Sequence, residues 1–295
     1  MSKALSRKEV VWSGAPAEKA GRRPRVPFSL WLPAIPFLFF ALAFVVMPLL
    51  AIALQSFQGA QGLLGNYAAL TSPQYLEAFR HSFSLSLATA LLGVLIGAPA
   101  ALALHRLPSR RLKAFLTTLS AVAANFAGVP LAFAYIVLLG NAGVLTHLLQ
   151  LGDTFSLYSW WGLLLIYLYF QIPLFIILFL PSVAALKPAW LEAAATLGAR
   201  PFFFWRQVGL PILLPSALGA GALLFANSFG AYATAFALMG ARYNLLPIQV
   251  SLAAAGNVGY APGEASATAV VMVALLLVAT LAYLKAQRRA RLWWG

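Results

Sequence analysis

The chain has 295 residues, of which 62% are hydrophobic and only 9% charged, with a mean hydropathy of +0.86. Soluble domains carry about 25% charged residues, so this composition cannot cover a water-facing surface and excludes a soluble globular domain. The formal net charge of +14 does not point to nucleic acid, because the basic residues sit in short clusters between apolar runs, and the absence of cysteine removes disulfide frameworks and thiolate metal sites.

Residues 1–28 are polar and basic, carry Pro16, Pro24 and Pro27, and show no apolar period. They read as a cytoplasmic tail. Six apolar runs follow, each near the roughly 20 residues that cross a bilayer as a helix. They cover about 29–55, 82–104, 112–139, 160–186, 212–239 and 267–285. The first is longer than a signal-peptide core and begins late, so it reads as an uncleaved anchor. Prolines fall within or at the ends of these runs, among them Pro48, Pro99, Pro130, Pro173, Pro181 and Pro215. A membrane bundle tolerates them because neighbouring helices satisfy the freed carbonyls. The expected fold is an all-α membrane protein of six transmembrane helices.

Orientation follows from Lys and Arg. Of the 20 such residues, all but Arg80 and Arg242 lie in the amino-terminal tail, the second-to-third and fourth-to-fifth connections, and the carboxyl end. That asymmetry puts both termini and the 187–211 loop in the cytoplasm of a prokaryotic cell membrane. The outer connections, near 56–81, 140–159 and 240–266, are long enough for short interfacial helices. Trp160, Trp161, Trp293 and Trp294 stand at span edges, as interfacial anchors do.

The loop 187–211 is the most informative stretch. It contains Glu192-Ala193-Ala194, then Gly198 after three residues, then Val208, Leu210 and Pro211 after nine more. Pro188 suits the first turn of a helix, Glu192 is placed early where the helix dipole favours a carboxylate, and Ala193 to Ala195 are strong helix formers. Gly198 can close the helix in the left-handed conformation, Ala199 and Arg200 follow, and Pro201 prevents continuation. The expected product is a small-sided cytoplasmic helix that another protein can approach closely. Phe202 to Trp205 would seat its exit, and Leu210-Pro211 would mark the turn into the fifth span.

With this spacing in this loop, the chain resembles the permease subunits of binding-protein-dependent ABC importers, the type I importer membrane subunits. The resemblance covers the six spans, with Val208 in place of the commoner isoleucine. The form Glu192-Ala-Ala-x-Thr-Leu-Gly-Ala199 is similar to permeases for polyamines, iron, sulfate, phosphonates and thiamine, and Asn66-Tyr67 through Ser82 resembles the approach to the second span in polyamine-type members. The resemblance implies a subunit that catalyses nothing. It implies a second permease subunit, identical or sister, a cytoplasmic ATPase dimer whose clefts receive the loop helix, an extracytoplasmic binding protein that delivers cargo, and a polyamine as the first substrate expectation. Glu192, Ala193, Ala194, Gly198, Ala199, Arg200, Leu210 and Pro211 are then the ATPase-coupling residues, with Glu192 expected to meet a basic group on the ATPase. ATP would act only on that partner, because the chain has no G-x-x-x-x-G-K-[ST] loop.

Polar residues within the runs are costly and need partners or water. Asn125, Gln171, Asn227, Ser228 and Tyr232 are the candidates for a weakly polar translocation path, with interhelical hydrogen bonding as the plainer reading. Three scattered histidines make no metal site. A secondary carrier or channel acting alone is the alternative function. A proton-coupled carrier needs an ionisable relay in the membrane, and no Asp, Glu, Lys or Arg falls in the interior of the six expected spans. An intramembrane enzyme ranks last, since the chain has neither H-E-x-x-H nor G-x-S-x-G.

Overall fold

The structure, a computed structural model, describes residues 34–58, 64–150, 152, 154–255 and 261–292. Every regular element among the described residues is helical. The expectations for the tail and for Trp293 and Trp294 lie outside the described residues. The chain divides into two units, residues 1–49 and 50–295.

In the first unit, α1 (Ala34–Ala41) runs into a π turn over Leu42–Val46, and the Met47 N–H donates to the Leu42 carbonyl. Pro48 explains the turn. A proline lacks the N–H of the regular ladder and its ring strikes the carbonyl four residues back, and a wider π turn is one way to keep a helix running past it. No side chain from Ile35 to Leu49 is buried.

The second unit opens with the rest of α2 (Met47–Ser56) and continues through α3 (Gly65–Ala69), α4 (Pro73–Arg106), α5 (Arg110–Asn125), α6 (Val129–Leu139), α7 (Val144–Leu148) and α8 (Trp160–Ala184). Then come α9 (Pro188–Thr196), α10 (Pro201–Phe204), a second π turn over Trp205–Gly209, α11 (Leu210–Phe229), α12 (Ala233–Met239), α13 (Leu246–Ala255) and α14 (Pro262–Leu292). Six helical segments are long and apolar enough to span a bilayer: Ile35–Ser56, Pro73–Arg106, Val129–Leu148, Trp160–Ala184, Pro201–Phe229 and Pro262–Leu281. The short helices α3 and α13 fall in two of the connections where interfacial helices are expected, while α7, in the third such connection, is the end of the spanning segment Val129–Leu148.

Two expected spans are corrected. The run 112–139 is not one helix. It breaks at residues 126–128, where the Asn125 amide folds back onto the Ala121 carbonyl, Gly128 takes φ +78°, and Pro130 favours a fresh start. The run 212–239 likewise breaks after Phe229, at Gly230 to Tyr232, before α12 begins. The second span starts earlier than expected, at Pro73, so Glu77, Arg80 and His81 belong to its outer end.

α8 is apolar all round, as a central helix must be, and it packs against α4, α5 and α11. Its inward residues form two clusters. Leu163, Ile166, Tyr167 and Phe170 meet Leu85, Leu131, Leu238 and Ile248. Phe175, Phe179 and Val183 meet Ala90, Ala101, Leu213 and Leu224. Two glycines of α4 allow the close approach. A Cβ at Gly97 would lie 2.6 Å from Phe175 Cδ1 and 3.1 Å from Phe175 Cβ, which is fixed to its backbone; at Gly93 it would lie 2.6 Å from Leu224 Cδ2, the free end of a side chain. Gly97→Ala is therefore expected to destabilise the bundle by about 1–3 kcal/mol as an overpacking substitution, and Gly93→Ala by less. Thermal unfolding in detergent checks the order, and a larger loss at Gly93 would contradict it.

Candidate coupling helix and translocation path

α9 is a nine-residue helix with Pro188 at its start and Lys187 before it. Its carboxyl end is closed as the sequence predicts. Gly198 adopts φ +75°, its N–H donates to Ala195 O at 2.9 Å, and the Ala199 N–H donates to Ala194 O at 2.9 Å. These are the paired bonds of a Schellman cap. Arg200, extended, leads into Pro201, the first residue of α10.

None of the α9 residues is buried, and Ala194 is the one that is half-covered. Apolar side chains around the helix are open as well: Leu197 is 87% exposed, Phe202 76% and Leu191 42%. A small-sided helix with uncovered apolar neighbours leaves an apolar patch open at this end of the bundle. Ala193 and Ala195 add no bulk that would hold a partner off.

Two loop expectations are corrected. Glu192 is the fifth residue of α9, just past its first turn, so the dipole does little for it. Its carbonyl accepts from Thr196 Oγ1 at 2.9 Å, and its carboxylate has no ion-pair partner among the described residues. Leu210-Pro211 is not a turn. It sits inside a helical segment that runs from Pro201 to Phe229. The π turn over Trp205–Gly209, with Leu210 N–H donating to Trp205 O, carries the helix past Pro211 in the same register that carries α1 and α2 past Pro48.

The path candidates separate into two groups. Gln171 and Ser228 are buried in the seam of α4, α8 and α11 and line no open surface. The Gln171 Nε2 donates to Leu224 O at 2.8 Å and to Ser228 Oγ, and Ser228 Oγ pairs with Thr89 Oγ1 at 2.7 Å. Thr89 in turn donates to the Leu85 and Ser86 carbonyls. Asn125 and Asn227 are exposed. Among the described residues the Asn227 amide has no hydrogen-bond partner. Tyr232 is half-buried, accepts from Ser251 Oγ at 2.9 Å and stacks on Phe236.

The two helix breaks meet. Gly128 N–H donates to Thr234 Oγ1 at 2.8 Å, and the buried Tyr167 hydroxyl donates to Ala231 O at 2.8 Å. These bonds satisfy backbone groups freed where α5 gives way to α6 and α11 to α12, as non-helical backbone at membrane depth requires. Gly128, Tyr167 and Thr89 are not among the path candidates drawn from the sequence above.

Toward the outer side, a cavity of about 690 Å³ is lined by Asn141, Ser156, Tyr158, Arg242 and Tyr243 together with the apolar Leu238 and Met239. Burial, and then the nearby Glu77 charge, push the Tyr243 phenol above its usual pKa, so it stays a neutral donor. Nearby, Tyr75 donates to Glu264 at 3.1 Å and ties the outer ends of α4 and α14. No cluster of metal-ligating side chains occurs among the described residues.

No family profile matches the chain. Individual relatives do. The molybdenum transport system permease protein ModB of Mycobacterium bovis is 30% identical over 234 residues, covering 77% of this chain and 83% of that protein. The chain belongs to the permeases of type I ABC importers. The spermidine/putrescine transport system permease protein PotC of Escherichia coli is 26% identical to this permease over 248 residues, covering 81% and 88%. In fold the permease is similar to a chain of a bacterial ABC transporter involved in import of the acidic polysaccharide alginate, with a TM-score of 0.70, 17% identity and coverage of 89% and 96%. The methionine transporter MetNI in an inward-facing conformation gives a TM-score of 0.57 at 16% identity, covering 75% of this chain and 99% of that one. The permease is thus a multi-pass protein of the inner membrane.

Proposed function

We propose that the permease forms half of a substrate path, paired with a second permease subunit, and that a cytoplasmic ATPase dimer drives it by gripping α9. The observation that carries this reading is α9 itself: capped, exposed on nearly all sides, and lying in a connection that the Lys and Arg distribution along the sequence assigns to the cytoplasm. ATP acts on the partner, this chain holding no cofactor of its own, and an extracytoplasmic binding protein supplies the cargo. A solved relative in fold supports that arrangement, since the alginate transporter was captured with a pentasaccharide-bound periplasmic protein. Glu192 meets a basic group of the ATPase. Asn125, Asn227 and Tyr232 line the path, which is weakly polar so that cargo is not held.

The cargo is small and charged. The loop form Glu192 to Ala199 and the likeness to PotC support a polyamine. A second reading, an oxyanion, is favoured by Arg242, a cation beside neutral donors in the outer cavity, and by the likeness to ModB. The two readings predict opposite signs. Arg242→Gln should lower molybdate uptake if an oxyanion passes, and should leave or raise spermidine uptake if a polycation passes.

The class of machine is tested by purification and reconstitution. The tagged permease is expected to bring down a cytoplasmic ATPase, and uptake into proteoliposomes is expected to require ATP and the binding protein. A lone chain that transports without ATP would establish the secondary-carrier alternative instead.

A further inference from the structure

Trp205 stands at the joint between the exposed coupling segment and α11. It is the first residue of the second π turn, and its carbonyl takes the Leu210 N–H across that turn. Its ring presses on the other end of the turn. A Cβ at Gly209 would come within 2.5 Å of Trp205 Cε3 and 2.9 Å of Cζ3. Arg106, the last residue of α4, sets its guanidinium carbon 5.8 Å from the centroid of the same ring. Phe204 meets the indole edge-on at 6.0 Å, and the ring rests against the buried cluster that contains Phe175, Phe179, Val183 and Leu213.

A π turn is a weak place in a helix, since its bonds span a wider ring and the ladder is interrupted at Pro211. A push applied at α9 must pass through α10 and this turn to reach the membrane. An unsupported turn would bend and dissipate the push. The indole, wedged between the two ends of the turn, stiffens it. Arg106 over the ring face adds a directional attraction that links the joint to α4. Arg106 is itself exposed, so it contributes little to burial and its placement over the ring needs another explanation.

We propose that Arg106, Trp205 and Gly209 form a clamp that makes α4 move together with the coupling helix when the ATPase closes. They are positioning residues and touch no cargo. The inference rests on the reading that α9 is driven by an ATPase.

Because the chain has no cysteine, labels can be placed at chosen positions of it in the full complex, once the accessible cysteines of the ATPase, the binding protein and any sister permease are replaced. Nitroxides at Ala103→Cys on α4 and Ala195→Cys on α9, both exposed positions, report the coupling distance. A second pair, Ala195→Cys and its counterpart in the other permease subunit, reports ATPase closure. In the parent, trapping with ATP and vanadate is expected to shorten the second distance and leave the first unchanged. Arg106→Gln, Trp205→Ala and Gly209→Ala are expected to keep the closure and ATP hydrolysis but to let the Ala103–Ala195 distance shift on trapping. Arg106→Lys and Trp205→Phe should restore the parent behaviour, which loss of packing alone would not predict for the exposed arginine. Variants whose Ala103–Ala195 distance stays locked as in the parent overturn the clamp while leaving ATPase coupling intact. A parent complex whose closure pair ignores nucleotide overturns the coupling reading itself, and the clamp with it.

Discussion

Gly198→Val is expected to abolish ATP-driven transport and capture of the ATPase while the membrane bundle stays folded. Gly198 holds φ +75°, a conformation in which a β-branched residue is a genuine outlier. Forcing it there costs on the order of 1–3 kcal/mol. α9 has little to set against that cost. It spans nine residues with none buried, and isolated helices of that length are marginal in water. The two bonds that close it, from Gly198 to Ala195 and from Ala199 to Ala194, depend on the same φ. Valine therefore trades a formed docking helix for an ensemble of loops. The bundle is spared because a Cβ at Gly198 meets nothing within 4 Å. Co-purification with the ATPase and thermal unfolding of the isolated permease measure the two halves of this statement. Gly198→Asn should fall between, since asparagine tolerates the left-handed region. A valine variant that retains the ATPase at parental level would show that the cap is not what the partner requires.

The cap was legible in the sequence because its signals are local. Pro188, Gly198 and Pro201 act through their own backbones, and nothing distant is needed to read them. The six spans were legible for a different reason: lipid imposes a length and an apolar composition that no alternative fold supplies. The breaks in the third and fifth spans were not read. Their markers are present, as Asn125-Phe-Ala-Gly-Val-Pro130 and at Gly230, but apolarity continues across both and hides them. What makes a break tolerable lies far away in the chain, in the Thr234 hydroxyl that takes the Gly128 N–H and the Tyr167 hydroxyl that serves Ala231. Glu192 illustrates the smaller error. Its distance from the helix start decides its electrostatics, and the motif alone does not set that start.

Gln171 and Ser228 were recognisable as polar residues in an apolar run, but their role depends on Thr89, 139 positions from Ser228. The directions of the bonds can be worked out. Ser228 Oγ accepts from the Gln171 amide, so its own proton goes to Thr89, whose proton goes to a carbonyl of its own helix. The Gln171 Oε1 is left over: it is buried and has no partner among the described residues. That leftover oxygen makes the seam asymmetric under mutation. Ser228→Ala removes an acceptor and leaves one amide N–H as well as Oε1 unmet, a loss of about 1–3 kcal/mol for an enclosed polar group. Gln171→Leu removes the amide and its orphan oxygen together, and the Ser228–Thr89 pair survives. The double variant Gln171→Leu/Ser228→Ala is therefore expected to be more stable than Ser228→Ala alone, although it lacks more hydrogen bonds. Melting of the four chains in a double-mutant cycle measures this directly. A double variant less stable than Ser228→Ala would mean that the amide finds other partners, as interhelical polar groups in membranes often do, with an average worth of about 0.6 kcal/mol. Because the seam binds α4, α8 and α11 from within, none of these changes should alter Asn227, the neighbouring residue, which remains on the exposed face.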